Sequence, residues 1–150
     1  MRLTAFTDYS LRMLMFVAAT PEGRATIAEV ANAFGISEHH LVKVAHFLGR
    51  NGILANTRGR NGGLRLARPA HEINLGRLVR LTEGPDLPAE CFDPRTNTCR
   101  LAGGCRLQDL LQDAMKEFYA ALERYTVADL QSRRGLARLA RLTPINTGSA

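Results

Sequence analysis

Thr26-Ile27-Ala28-Glu29-Val30-Ala31-Asn32-Ala33-Phe34-Gly35-Ile36-Ser37 is the stretch whose reading decides the fold. Thr26 and Glu29 stand at capping-box spacing, so hydroxyl and carboxylate together can satisfy two of the amides that open a helix. Ala28, Ala31 and Ala33 allow close packing, and Gly35 can adopt the left-handed conformation that ends the helix. Ser37 is then placed to cap a second helix. Helix, tight Gly-containing turn, helix is the pattern that sets one helix into a DNA groove.

The second helix is predicted over Ser37 to Arg50, with Leu41, Val44, Ala45 and Leu48 as its buried face. That leaves His39, His40, Lys43, His46 and Arg50 facing outward, the first three near the start, where recognition helices meet base edges. Three histidines in so short a span also suggest a metal site. No cysteine accompanies them, and groove-facing donors are favoured. Asn51-Gly52 ends the helix, and Ile53–Thr57 and Leu64–Ala67 read as two short strands. Arg58-Gly59-Arg60-Asn61-Gly62-Gly63 between them makes a hairpin tip whose arginines suit phosphate or a minor groove. A nucleotide-phosphate loop is the rival, but no G-x4-G-K-[ST] sequence is present. The prediction is a mainly α, winged helix-turn-helix protein. Ser37, His39, His40, Lys43, Arg58, Gly59, Arg60 and Asn61 are its expected DNA-binding residues.

Charge agrees with that reading. The formal net charge is +6 over 150 residues. Between Ile36 and Arg68, six basic residues (Lys43, Arg50, Arg58, Arg60, Arg65, Arg68) face Glu38 alone, a local charge of +5. A solvated helix usually carries both signs, so a block of one sign points to a polyanion.

Upstream, Thr4 to Ala19 is predicted helical, with Asp8 and Arg12 one turn apart, and Thr20-Pro21-Glu22-Gly23 as a turn. Downstream, Pro69 stops the second strand, Ile73 to Glu83 forms a helix, and Gly84-Pro85 breaks it. The longest helix is predicted from Arg106 to Tyr125. Leu107, Leu111, Ala114, Phe118, Ala121 and Tyr125 repeat at 4-3-4-3-4, a coiled-coil seam that Leu110, Met115 and Leu122 widen. Intramolecular packing is one use of such a face. Dimerisation is the expected one, since helix-turn-helix proteins read palindromes as two-fold dimers. Thr126-Val127-Ala128-Asp129 reads as a capping box for a short last helix.

All three cysteines, Cys91, Cys99 and Cys105, fall in the polar, Gly- and Pro-containing loop before the long helix. An odd number leaves no closed disulfide set, and thiolates are soft ligands for zinc, copper(I) or iron–sulfur clusters. The spacing C-x7-C-x5-C lacks the C-x2-C knuckles of zinc ribbons. Burial as three small hydrophobes is the bland alternative, but so polar a loop makes a poor core. The expected organisation is a DNA-binding domain over 1–84, a cluster-binding loop over 85–105, dimerisation and short terminal helices over 106–132, and a flexible basic tail over 133–150. No apolar run reaches transmembrane length, and the start Met1-Arg2-Leu3-Thr4 lacks a signal-peptide pattern, so a cytoplasmic protein is expected.

Together the opening Met-Arg-Leu-Thr-Ala-Phe-Thr-Asp-Tyr-Ser-Leu-Arg, the Gly-Ile-Ser turn, the Arg-Gly-Arg-Asn-Gly-Gly wing and three cysteines before a long helix resemble the bacterial iron–sulfur winged-helix regulators, and most closely their nitric-oxide-sensitive repressors. The resemblance covers roughly residues 1–130. It implies a homodimeric repressor that binds double-stranded operator DNA while its iron–sulfur cluster is intact and releases it on nitrosylation. It further implies a cluster, [4Fe-4S] with [2Fe-2S] as the alternative, on Cys91, Cys99 and Cys105, with Asp8 of the partner subunit as fourth ligand. A related regulator of cluster biosynthesis uses a histidine three residues after its last cysteine. Gln108 stands at that position here. The other readings are a redox or cluster-status regulator, a zinc-stabilised DNA-binding regulator, and a metalloenzyme or electron carrier with a basic docking face. No substrate-pocket constellation supports an enzyme, and a wing has no purpose in one.

Overall fold

A computed structural model describes residues 2–57, 62–84, 87–131 and 135. Helix α1 spans Ala5–Ala19, α2 Ile27–Phe34 and α3 Glu38–Arg50. Strands β1 (Leu54–Thr57) and β2 (Gly63–Leu66) pair antiparallel with Leu54 opposite Leu66. Helix α4 covers Leu75–Glu83 and α5 Arg106–Glu123, with short 3-10 turns at Ala70–Glu72, Glu90–Phe92 and Val127–Leu130.

Helices α1 to α4 each start where a side chain can replace a missing intrahelical acceptor. Thr4 caps α1, Ser37 caps α3 and Asn74 caps α4. The Thr26–Glu29 capping box is complete: Glu29 Oε2 accepts from the Thr26 amide at 2.6 Å, and Thr26 Oγ1 accepts from the Glu29 amide at 3.2 Å. Gly35 ends α2 at φ 62°, ψ 35°, where a side chain would be strained.

One core lies under the three N-terminal helices, the hairpin and α4. Met13, Leu14, Phe16, Val17, Val30, Leu41, Val44, Leu48, Leu54, Leu64, Leu78 and Val127 are buried within it. Burial of each large side chain contributes roughly 1.5–3 kcal/mol. Polar groups that enter this core are paired. The Thr7 hydroxyl donates to Thr82 Oγ1 at 2.8 Å, and the Thr82 hydroxyl donates to the Leu78 carbonyl at 3.0 Å. At the same end of α1, the Thr4 amide donates to Glu83 Oε1 at 2.9 Å.

The C-terminal part of α5 is fastened to α4. Tyr119 is 8% exposed, with the Arg80 guanidinium 3.9 Å above its ring. Arg80 also pairs with Glu123 at 3.3 Å, and Asn74 Nδ2 donates to the Glu123 carbonyl at 2.6 Å. Beyond the helix, the Leu75 amide donates to the Tyr125 carbonyl and the Val127 amide to the Ile73 carbonyl, both at 2.9 Å. Gly76 lets the helices meet: a Cβ there would sit 2.8 Å from the Glu123 backbone nitrogen. The first turns of α5 are open by contrast, with Leu107 62% and Leu110 50% exposed. The long helix therefore has two apolar edges. One, through Tyr119 and Leu122, faces its own chain. Of the expected seam, Leu107, Ala114 and Tyr125 are exposed, whereas Leu111, Phe118 and Ala121 are half-buried. The expected tail, 133–150, lies outside the described residues apart from Gly135.

Candidate nucleic-acid interface and cysteine loop

The residues predicted to face DNA on α3 do face outward: Ser37, His39, His40, Lys43, His46 and Arg50 are all exposed. The Ser37 hydroxyl accepts from the His40 amide at 3.4 Å and lies 3.2 Å from His40 Nδ1. The His40 ring is 6.0 Å from that of Tyr9 on α1. His40 is thus half committed to the α1–α3 junction, while His39 and Lys43 have no hydrogen bond or ion pair among the described residues. Phe6 of α1 packs edge-on against Phe47 at 5.2 Å, a second apolar tie between α1 and the same helix.

Arg58, Gly59, Arg60 and Asn61 at the expected wing tip lie outside the described residues. The wing root is described, and it is held on two sides. Asn56 Nδ2 donates to the Ala45 carbonyl of α3 at 3.0 Å. On the other side, Ala25 and Leu64 exchange two backbone hydrogen bonds, of 3.0 and 2.7 Å, and Arg24 Nη1 donates to the Gly62 carbonyl at 2.9 Å. Sequence reasoning missed these supports. An asparagine inside a short strand, where the residue type is disfavoured, was the available signal for Asn56. Arg24 and Ala25 carry no local signal, because their partners lie some forty positions away.

Cys91 sits in the turn Glu90–Phe92, Cys99 follows the Asp93–Asn97 turn, and Cys105 immediately precedes the first residue of α5. The loop is ordered by its own bonds. Asp93 accepts from the Arg95 amide at 3.0 Å and from Arg95 Nε at 3.2 Å, which holds its carboxyl below the usual aspartate range. Gln108 Nε2 donates to the Cys91 carbonyl at 3.2 Å, tying the start of the loop to the first turn of α5. All three thiols are free and half-buried, and none makes a hydrogen bond among the described residues. Among those residues, no three His, Cys, Asp or Glu side chains converge into a metal-holding group.

Asp8 projects from α1, with a side chain 42% exposed. Arg12 grips it with two nitrogens, Nε at 3.0 Å from Oδ1 and Nη2 at 2.8 Å from Oδ2. The bland expectation of an ion pair one turn apart is what this chain shows by itself. Each carboxylate oxygen retains a further lone pair, so the pair leaves Asp8 able to bind something else. The donor set, three uncommitted thiols and one half-exposed carboxylate, fits an iron–sulfur cluster in its chemistry.

Comparison with known proteins agrees with this chemistry. Residues 3–133 match the Rrf2 family model, described as an iron-dependent transcriptional regulator. The chain is 45% identical over 131 residues to the HTH-type transcriptional regulator NsrR of Shouchella clausii, covering 87% of this chain and 88% of that protein. It is 42% identical over 146 residues to NsrR of Halalkalibacterium halodurans, covering 96% of this chain and 100% of that one. The solved structure of CymR, the global cysteine regulator of B. subtilis, superposes with a TM-score of 0.64 at 25% identity, over 87% of this chain and 95% of that one. These relatives are transcriptional regulators rather than enzymes, and no helix among the described residues is long and apolar enough to cross a membrane. The chain belongs to the Rrf2 family of iron-dependent transcriptional regulators, and within it is a DNA-binding regulator of the NsrR kind.

Proposed function

We propose that the protein is a nitric-oxide-sensing repressor that binds operator DNA as a homodimer when a [4Fe-4S] cluster is in place. The observation that carries this reading is the loop of three uncommitted thiols ending at the N-terminus of α5. Cys91, Cys99 and Cys105 would hold the cluster, leaving one iron of a cubane to a non-thiolate donor, and Asp8 of the partner subunit supplies a carboxylate of the right kind. When bound, the cluster supplies iron that reacts with nitric oxide.

The chain's own residues supply the coupling. Asp8 belongs to α1, whose Phe6 and Tyr9 pack on α3, so whatever engages Asp8 bears on the DNA-reading helix. Cys105 immediately precedes α5, whose open face supports self-association: Leu107 and Leu110 are exposed, and an apolar groove of about 300 Å³ is lined by Leu3, Leu87, Leu111, Met115 and Phe118. A carboxylate is a hard donor on a soft site and is the ligand expected to leave first. Without the cluster, Asp8 would be held by Arg12 alone, and nothing would fix the two recognition helices at the separation that one turn of duplex, about 34 Å, demands.

Operator affinity at fixed salt for cluster-bound, nitric-oxide-treated and cluster-free protein tests the proposal. The cluster-bound form is expected to bind more tightly by roughly 1–3 kcal/mol, the usual size of such couplings. Equal affinity in all three states removes the switch. Native mass spectrometry of the anaerobic protein counts iron and sulfide, and a colourless zinc-loaded protein refutes the cluster.

A further inference from the structure

His39, Lys43, His46 and Arg50 are spaced 4-3-4 along α3, which at 3.6 residues per turn puts them in one row opposite the buried Leu41, Val44, Ala45 and Leu48. The row runs about 17 Å, nearly the length of the helix. All four side chains are exposed, none has a hydrogen bond or ion pair among the described residues, and the row contains no carboxylate. Glu38, the helix's one acidic residue, lies on a different side. His40 and Phe47 also lie off the row, turned toward Tyr9 and Phe6 of α1.

The two halves of the row differ in their surroundings. His39 is at the helix start, with only the His40 ring, 6.1 Å away, as a recorded side-chain contact. Lys43, His46 and Arg50 line a shallow hollow together with Phe6, Phe47 and Asn51. Three donors in one hollow with no competing carboxylate suit an oxyanion. A recognition helix enters the groove by its N-terminal end, so its C-terminal half rises toward the rim, where the strand's phosphates lie.

We propose that Lys43, His46 and Arg50 form a phosphate seat, which grips the backbone of duplex DNA beside the bases that His39 meets. This rests on the assignment of α3 as the DNA-reading helix and adds a division of labour within it. The N-terminal end of the row discriminates sequence, and the C-terminal end supplies affinity that is independent of sequence. Each phosphate contact also carries a measurable share of the salt dependence, a slope of about 0.9 per neutralised phosphate.

The test uses the full-length, cluster-loaded protein and two duplexes of equal length. One is selected by the wild-type protein from a random-sequence library, and the other is its scrambled version. Affinities are measured from 50 to 200 mM salt for wild type, His39→Ala, Lys43→Ala, His46→Gln, Arg50→Ala and Arg50→Lys, with Arg77→Ala on α4 as an exposed control. Circular dichroism verifies that each variant is folded. Arg50→Ala is expected to weaken both duplexes alike and to shrink the fall in affinity across that salt range by about 3.5-fold, one phosphate's worth. Arg50→Lys restores the slope, His39→Ala weakens the selected duplex alone, and Arg77→Ala changes nothing. The seat is overturned if Arg50→Ala alters neither affinity nor slope while Lys43→Ala still weakens binding. It is equally overturned if the Arg50→Ala loss is confined to the selected duplex, since Arg50 would then read bases. If neither His39→Ala nor Lys43→Ala has any effect, the assignment of α3 itself fails and the seat with it.

Discussion

Gly76→Ala tests the joint between α4 and α5. A Cβ at this position would lie 2.8 Å from the Glu123 backbone nitrogen and 3.0 Å from its Cα. Backbone atoms cannot rotate aside as a side chain can, so α5 must move away from α4. That movement loosens the 2.6 Å bond from Asn74 to the Glu123 carbonyl and the Arg80–Tyr119 contact at 3.9 Å. Overpacking of this kind costs about 1–3 kcal/mol, and a clash with backbone belongs at the upper end. Against it stands the gain of alanine over glycine inside a helix, about 1 kcal/mol. The net expectation is a loss of about 2 kcal/mol, or roughly 4–8 °C in Tm for a chain of this size. Thermal unfolding of the cluster-free protein followed at 222 nm measures it. A Tm equal to or above wild type would mean that the helix gain prevails, and so that the two helices do not meet as closely at Glu123 as described.

Further expectations concern the core, the loop and the last turn. Thr82→Val removes the acceptor of the buried Thr7 hydroxyl and should cost about 1–3 kcal/mol in denaturant unfolding, whereas two valines, at Thr7 and Thr82 together, should cost less than Thr82→Val alone. Alanine at any one of Cys91, Cys99 or Cys105 should abolish stable iron loading, with Asp8→Ala doing less because water or an added thiol can replace a carboxylate. Full iron and sulfide content in all four variants would dispose of the ligand assignment. The Asp129 carboxyl is held below its ordinary value of 3.8 first by the Thr126 amide and then by the Thr126 hydroxyl. A lowered folded value means that its support of the final turn is complete above the ordinary value and is lost as pH falls through the lowered one. Amide exchange at Thr126 should accelerate over that acid range in wild type and show no such step in Asp129→Asn.

Much of this was legible because the signals are local. Thr26 with Glu29, Gly35 and Ser37 define the ends of α2 and α3 within a dozen residues, and the structure uses each of them as the sequence implies. The buried face of α3 and its outward donors follow from one period of 3.6 residues. Periodicity failed to separate the two apolar edges of α5. Tyr119 lies one residue from the predicted seam, and nothing in the sequence says that Arg80, some forty positions earlier, will receive it or that Gly76 will meet Glu123. The cysteines were legible as donors by type, number and loop chemistry. Whether they gather was not legible, because the energy that would gather thiolates around a metal belongs to no single residue. Asp8 shows the same limit: one chain alone accounts for it by Arg12, and a ligand role requires a second chain.

The pairing of Ala25 with Leu64 has a consequence for solubility. A two-stranded hairpin offers an unpaired row of amides and carbonyls along each outer edge, and such rows recruit strands from other molecules. Here the Ala25 backbone occupies the outer edge of β2 at Leu64, so that edge has a partner from its own chain. Among the described residues, the exposed Leu107 and Leu110 of α5 offer an apolar face that lacks this liability. A protein with a bare hairpin edge would risk stacking into fibres; here the β2 edge already carries a backbone partner from its own chain.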